Sequence, residues 1–163
     1  MRFGDLSVVA YGAYEGPLRS AILALKDGRR DVAEALGDRI ALLLDRNAHL
    51  VPVPTTEKRR RTRGMDGVAV VAVAAARLTG ASVIETLEQH AGDAQRGRSR
   101  GERLAACNRF SCSSRSIEGR AVTLIDDVCT TGATLTDCAR AIAAAGGRVE
   151  GAVVVAATKG ADA

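Results

Sequence analysis

Residues 122–135 read VTLIDDVCTTGATL, and no other segment restricts the fold so sharply. The mostly apolar run 122–125 reads as a buried strand with two carboxylates, Asp126 and Asp127, at its end. Thr130, Thr131 and Gly132 then make a short turn, and an amphipathic helix follows from Thr134. Ligands of open α/β sheets bind just beyond the carboxyl ends of the strands, so acids placed there face a site. The turn presents backbone N–H groups and the positive end of a helix dipole, which suits a phosphate. Gly132 lets the backbone approach closely, Thr130, Thr131 and Thr134 add hydroxyl donors, and Cys129 and Ala133 complete the loop. A ribose 5-phosphate fits this arrangement, with adjacent hydroxyls for Asp126 and Asp127 and its phosphate for residues 129–134.

Other readings of the segment are weaker. An Asp-Asp pair after an apolar strand also opens receiver domains, but there four more βα units follow, and here only 36 of the 163 residues come after Asp127. A purely structural turn leaves two adjacent carboxylates repelling each other unless a ligand, metal or water network meets them. Neither Gly-x-x-x-x-Gly-Lys nor Gly-x-Gly-x-x-Gly occurs in the chain. The segment resembles the phosphoribosyl pyrophosphate (PRPP) motif of type I phosphoribosyltransferases: an apolar strand, two acids, two residues, Thr-Thr-Gly, a small residue and Thr.

A length of 163 residues is most simply one domain, burying roughly 70% of its unfolded surface. Aromatic residues are confined to Phe3, Tyr11, Tyr14 and Phe110, so the core must be built from Ala, Val and Leu. The same scarcity argues against a base-stacking platform for single strands. Net charge is +4, unevenly spread. Lys58, Arg59, Arg60, Arg61 and Arg63 form one cluster, and Arg96, Arg98, Arg100 and Arg103 another. Such runs are ordinarily solvated loops, but two of them flanking a phosphate motif point to an anionic ligand, either pyrophosphate or nucleic acid. No apolar stretch approaches the ~18 residues needed to span a membrane, and no signal segment follows Met1; a cytoplasmic protein without membrane partners is expected. The four cysteines lack Cys-x-x-Cys spacing, which disfavours zinc and leaves free thiols. Cys129 lies near a helix N-terminus that would lower its pKa; it reads either as a filler beneath the loop or as a redox thiol.

Along the chain, residues 6–11 read as an edge strand, and Gly16-Pro17 opens a helix that breaks at Asp27-Gly28. Asp31 and Glu34 have capping-box spacing before a second helix carrying Val32, Leu36, Ile40 and Leu43. Residues 49–53 read as a strand, 65–78 as a buried Ala/Val helix, and 82–87 as a strand. Between 88 and 117 periodicity disappears; a loop of that length in a compact domain is usually functional or mobile. Strand 121–125, helix 134–145 closed by Gly146-Gly147, and strand 148–156 complete an α/β alternation. It implies a mostly parallel sheet with helices on both faces.

Three further segments make the chain similar to the ComF family, phosphoribosyltransferase-like proteins associated with bacterial competence for DNA uptake. Tyr14-Glu15-Gly16-Pro17-Leu18-Arg19 with Leu25-Lys26 resembles the family's opening, and Val51-Pro52-Val53-Pro54 with Arg59, Arg61, Arg63 and Gly64 its Val-Pro-Val-Pro…Arg-x-Arg-Gly-Phe-Asn signature. Gln95, Glu102-Arg103, Asn108 and Phe110 resemble its mobile segment. Met65-Asp66 replaces the usual Phe-Asn, and the interval from Arg103 to Asn108 is about two residues longer than usual. Members commonly begin with a cysteine-rich zinc module, so the resemblance implies a natural short form or a truncation.

The resemblance implies a type I phosphoribosyltransferase fold in a single domain, 1–163, with a small N-terminal hood at 1–45 and a flexible loop at 88–117. It implies transfer of ribose 5-phosphate from PRPP to a nitrogen nucleophile with release of pyrophosphate. Asp126 and Asp127 would hold the ribose and reach Mg²⁺ through PRPP. Residues 129–134 would hold the 5-phosphate, Pro54, Arg59, Arg61 and Arg63 the pyrophosphate, and Arg103 would act catalytically from the loop. The alternative is a non-catalytic PRPP-binding module whose basic face holds single-stranded DNA or a helicase-like competence partner. A homodimer is left open.

Overall fold

The structure, a computed structural model, describes residues 1–90 and 109–158. Its elements are β1 (Arg2–Phe3), β2 (Leu6–Ala13), α1 (Gly16–Lys26), α2 (Arg30–Ile40), β3 (His49–Pro52), α3 (Glu57–Arg63) and α4 (Gly67–Thr79). There follow β4 (Ser82–Val83), β5 (Leu87–Gln89), β6 (Phe110–Cys112), β7 (Ala121–Cys129), α5 (Ala133–Ala144) and β8 (Arg148–Ala157). Among the described residues six strands form one sheet in the order β1-β2-β8-β7-β3-β4, parallel throughout except for the β1–β2 pair. The expected class, a mostly parallel α/β sheet with helices on both faces, is the one observed.

The period-2 alternation of strand side chains divides the core in two. Val51, Val122, Leu124, Ala152 and Val154 point to one face, where α5 covers them with Leu135, Cys138, Ala141 and Ile142. Leu50, Ile125, Val153 and Val155 point to the other, under Ile22 and Leu25 of α1, Ala33, Leu36 and Ile40 of α2, and Val68, Val71, Ala72 and Ala75 of α4. Strands buried on both faces read as continuous apolar runs, which is why residues 152–156 of β8 carry no polar alternation. Small residues set the spacing of the three-helix layer. A Cβ on Gly37 of α2 would lie 2.5 Å from both the Cβ of Ala74 and the carbonyl oxygen of Val71 on α4. Any larger residue there would push the two helices apart.

Several expectations need amending. Residues 1–45, expected as a hood, are built into the main body: β2 pairs with β8 from Val8↔Ala152 to Ala13↔Ala157, and α1 and α2 cover the adjoining face. β2 therefore lies inside β1 rather than at the edge. Asp31 does not cap α2; Arg29 holds the N-cap position and its guanidinium binds the Asp31 carboxylate at 2.6 and 2.9 Å. The strand expected at 82–87 is two short pieces in two sheets, and the ends of the expected loop at 88–117 form an antiparallel ribbon, β5–β6. The interior of that loop, with Arg96, Arg98, Arg100 and Arg103, lies outside the described residues.

The basic cluster is the plainest difference: it is a helix, α3, not a loop. Thr56 caps it, accepting from the Arg59 N–H at 3.4 Å, and Gly64 closes it at φ +72°. Glu57 in its first turn binds Arg60 at 2.6 Å and Arg61 at 2.9 Å, at the i+3 and i+4 spacings that place side chains together on a helix. A single acid thus offsets the charge repulsion that made the run look unlike a helix.

Candidate functional site

β7 continues through Asp126 and Asp127 to Cys129, two residues past the acids, so the pair sits in the strand's last turn rather than at its end. Asp126 is held in register opposite Val154 of β8. Its Oδ1 accepts the N–H of Asp127 at 2.8 Å. Burial, together with the neighbouring charge of Asp127, raises the Asp126 carboxyl well above the usual carboxylate range. Asp127 meets a cation: its Oδ2 is 3.4 Å from Nζ of Lys26, the last residue of α1. The two acids are adjacent in sequence but unlike in setting, one partly desolvated beside a like charge and the other ion-paired.

Beyond them the chain turns through Thr130 and Thr131 to Gly132, which takes φ +69° as the N-cap of α5. Positive φ favours glycine here, and a second constraint acts as well: an added Cβ would land in the ring of Phe3. Residues 128–135 line a cup of about 30 Å³ beside Asp126, at the helix N-terminus. Cys129 lies beneath this cup, 2% exposed, and burial raises its thiol above the usual value. That favours the filler reading over a reactive thiolate.

The acids open on the other side into a cleft of about 260 Å³. Its walls include Lys26, Pro54 and Thr55 after β3, Arg59 and Arg63 of α3, Gln89 and Arg109 of the β5–β6 ribbon, and Thr134. Asp66 also borders it. One oxygen of Asp66 caps α4 through the N–H groups of Val68 and Ala69 at 3.1 and 3.3 Å, and the other accepts the Thr55 N–H at 2.9 Å. Asp66 thereby ties the turn after Pro54 to the start of α4.

Of the residues named from sequence, the structure brings Asp126, Asp127, Thr134, Pro54, Arg59 and Arg63 to one cleft and places residues 129–133 in the adjoining cup. It does not bring Arg61 there. Arg61 pairs with Glu57 and lines a separate cleft of about 540 Å³ with Arg30, Arg60 and Met65. The helical period explains the split: Arg59 and Arg63, four apart, share a face that Arg60 and Arg61 do not. Arg103 lies outside the described residues. Lys26, Thr55, Gln89 and Arg109 also wall the cleft and had no assignment from sequence. A lysine closing a helix reads as a favourable charge at the negative end of the dipole, which hid its second use.

Among the described residues no three His, Cys, Asp or Glu side chains converge as a metal site. The acid pair does fit Mg²⁺ that arrives on a phosphate, since that ion commonly takes one or two carboxylates plus substrate oxygens and water.

No family model and no curated protein matches the chain. Solved structures do. A hypoxanthine phosphoribosyltransferase from Staphylococcus aureus is 14% identical with a TM-score of 0.40, over 79% of this chain and 62% of that one. The allosteric regulatory enzyme of purine biosynthesis is 18% identical with a TM-score of 0.53, over 80% of this chain but 25% of that one. This chain thus spans about a quarter of that enzyme's length and shares its α/β fold across that portion.

Proposed function

We propose that this chain is a phosphoribosyltransferase of the ComF type, binding PRPP with Mg²⁺ and passing ribose 5-phosphate to a nitrogen nucleophile. The observation that carries the reading is the placement of Asp126 and Asp127 between a helix-N-terminal Thr-Thr-Gly cup and a cation-walled cleft. In the transfer the bond from C1 to the pyrophosphate oxygen breaks, its electrons leave with pyrophosphate, and positive charge builds on the ribose ring. The two carboxylates hold the ribose hydroxyls and favour that charge. The N–H groups and hydroxyls of residues 130–134 bind the 5-phosphate, and Lys26, Arg59 and Arg63 receive the diphosphate. When bound, Mg²⁺ offsets the charge of the leaving group.

Single-stranded DNA as the ligand of the basic run has less support. Arg60 and Arg61 are ion-paired with Glu57, and Arg30 with Glu34. Calorimetric titration with PRPP and Mg²⁺, followed by pyrophosphate release assayed with a panel of bases and amines, tests the proposal. Saturable binding with release expected for at least one amine supports it. Absence of PRPP binding by folded protein overturns it.

A further inference from the structure

Among the described residues Asp137 of α5 is the one buried carboxylate, with its side chain 4% exposed. Such a charge is costly to hold away from water unless it is paired and hydrogen-bonded. Both its oxygens are engaged. Oδ1 accepts from Arg140 Nε at 3.1 Å and Nη2 at 2.8 Å, one helical turn on. Oδ2 accepts the backbone N–H of Arg109 at 2.9 Å and lies 3.9 Å from that residue's Nε. Arg140 Nη2 also reaches the carbonyl oxygen of Phe110 at 3.4 Å. The Arg109 carbonyl accepts the His90 N–H at 2.8 Å, and the Phe110 side chain is buried beneath, 3% exposed.

The peptide on either side of Arg109 is therefore clamped to α5 and to the ribbon. Arg140, closer and donating to Oδ1 from both Nε and Nη2, is the main counter-charge of Asp137. The Arg109 guanidinium makes only the long 3.9 Å contact with it and borders the cleft that holds Asp126 and Asp127. Resting on the phosphoribosyltransferase reading, we propose that Arg109 is a diphosphate-binding residue of this cleft and that Asp137 is its positioning residue. Arg109 joins Lys26, Arg59 and Arg63 among the cations that line the cleft and would meet the departing diphosphate. A guanidinium fixed at its backbone and presented to phosphate oxygens has the geometry for paired, charge-assisted hydrogen bonds.

The test is calorimetry on the full chain, with inorganic pyrophosphate plus Mg²⁺ and, separately, ribose 5-phosphate. Arg109→Gln, an exposed substitution that leaves the fold alone, should weaken pyrophosphate by about tenfold or more while ribose 5-phosphate changes less than about twofold. Arg109→Lys should recover only part of the loss, since an ammonium cannot bind in a fork. Asp137→Asn should weaken pyrophosphate in the wild-type background but add nothing to Arg109→Gln, the non-additivity of one unit. Arg109→Gln with unchanged pyrophosphate affinity overturns the inference while leaving the proposed function standing. A wild-type protein that binds neither ligand overturns both.

Discussion

The two walls of the cleft are made in opposite ways. The β7–α5 wall, with Asp126, Asp127 and the Thr-Thr-Gly turn, comes from nine consecutive residues, and its geometry follows from strand, turn and helix dipole. The facing wall draws Lys26 from the end of α1, Arg59 and Arg63 from α3, and Arg109 from the ribbon, segments separated by up to 83 positions in a chain of 163. The first wall is a local motif and the second a tertiary product. A local motif survives as a pattern in one sequence, whereas a tertiary wall has no pattern until the sheet order brings its parts together.

If the local wall holds the ribose, its loss should be the largest effect. Asp126→Asn with Asp127→Asn should cost about 2–4 kcal/mol of PRPP affinity, because two charged hydrogen-bond acceptors are withdrawn from the ligand. Calorimetric titration of the folded double variant is the check. Unchanged affinity would remove the ribose from this wall altogether.

Gly132→Ala should come next, as a loss of stability of about 1–3 kcal/mol read from the thermal midpoint. It combines a positive φ of +69° with a methyl driven into the Phe3 ring. Adding Phe3→Ala separates the two costs: the ring clash disappears and the backbone strain remains. A full rescue would show that the turn needs space and not a left-handed conformation.

The tertiary wall can be divided by helical face. Arg59→Gln with Arg63→Gln should weaken inorganic pyrophosphate by about 1–3 kcal/mol, as expected for charged hydrogen bonds to phosphate. Arg60→Gln with Arg61→Gln should change it by less than about 0.5 kcal/mol, since those side chains pair with Glu57 at an exposed surface. Equal losses from the two pairs would mean that the run acts through its summed charge and not through its orientation.

How much of this was legible in the sequence follows the same division. The strand, acids, turn and helix of residues 121–144 were readable because apolar run, glycine and helix period each report local conformation. The parallel sheet was readable from alternation of elements. The helical state of 57–63 was not: five cations within six residues mask a helix unless Glu57 is credited with pairing two of them. The place of residues 1–45 was hidden as well, because whether a short strand joins the main sheet depends on a partner, β8, that lies about 140 residues later. Arg109 bore no local mark, since it follows an aperiodic stretch; Lys26 carried only a pattern resemblance and ends an ordinary amphipathic helix, so neither showed its place in the cleft.

The smallest effect concerns the acid pair without its ligand. Burial and the charge of Asp127 raise the Asp126 carboxyl above its unfolded value, so the folded chain binds this proton more readily than the unfolded one. The stability contributed by Asp126 is therefore fully present below the unfolded pKa of about 3.9. It is lost as pH rises toward the raised folded value. Asn keeps the neutral form at every pH, so Asp126→Asn should raise the thermal midpoint of the ligand-free protein at neutral pH by about 2–4 °C, corresponding to roughly 1 kcal/mol for a chain of this size. The advantage should shrink to nothing near pH 4, where the wild-type carboxyl is itself protonated. The same substitution should weaken ribose 5-phosphate binding at neutral pH, because the ligand's hydroxyls prefer the ionised acceptor. Melting curves across pH 4–8 for both proteins, with and without ribose 5-phosphate, measure both signs in one series. A variant less stable than wild type at neutral pH would mean that the ligand-free cleft already stabilises the ionised carboxylate, through Lys26 or solvent, and that the acid pair carries no functional strain.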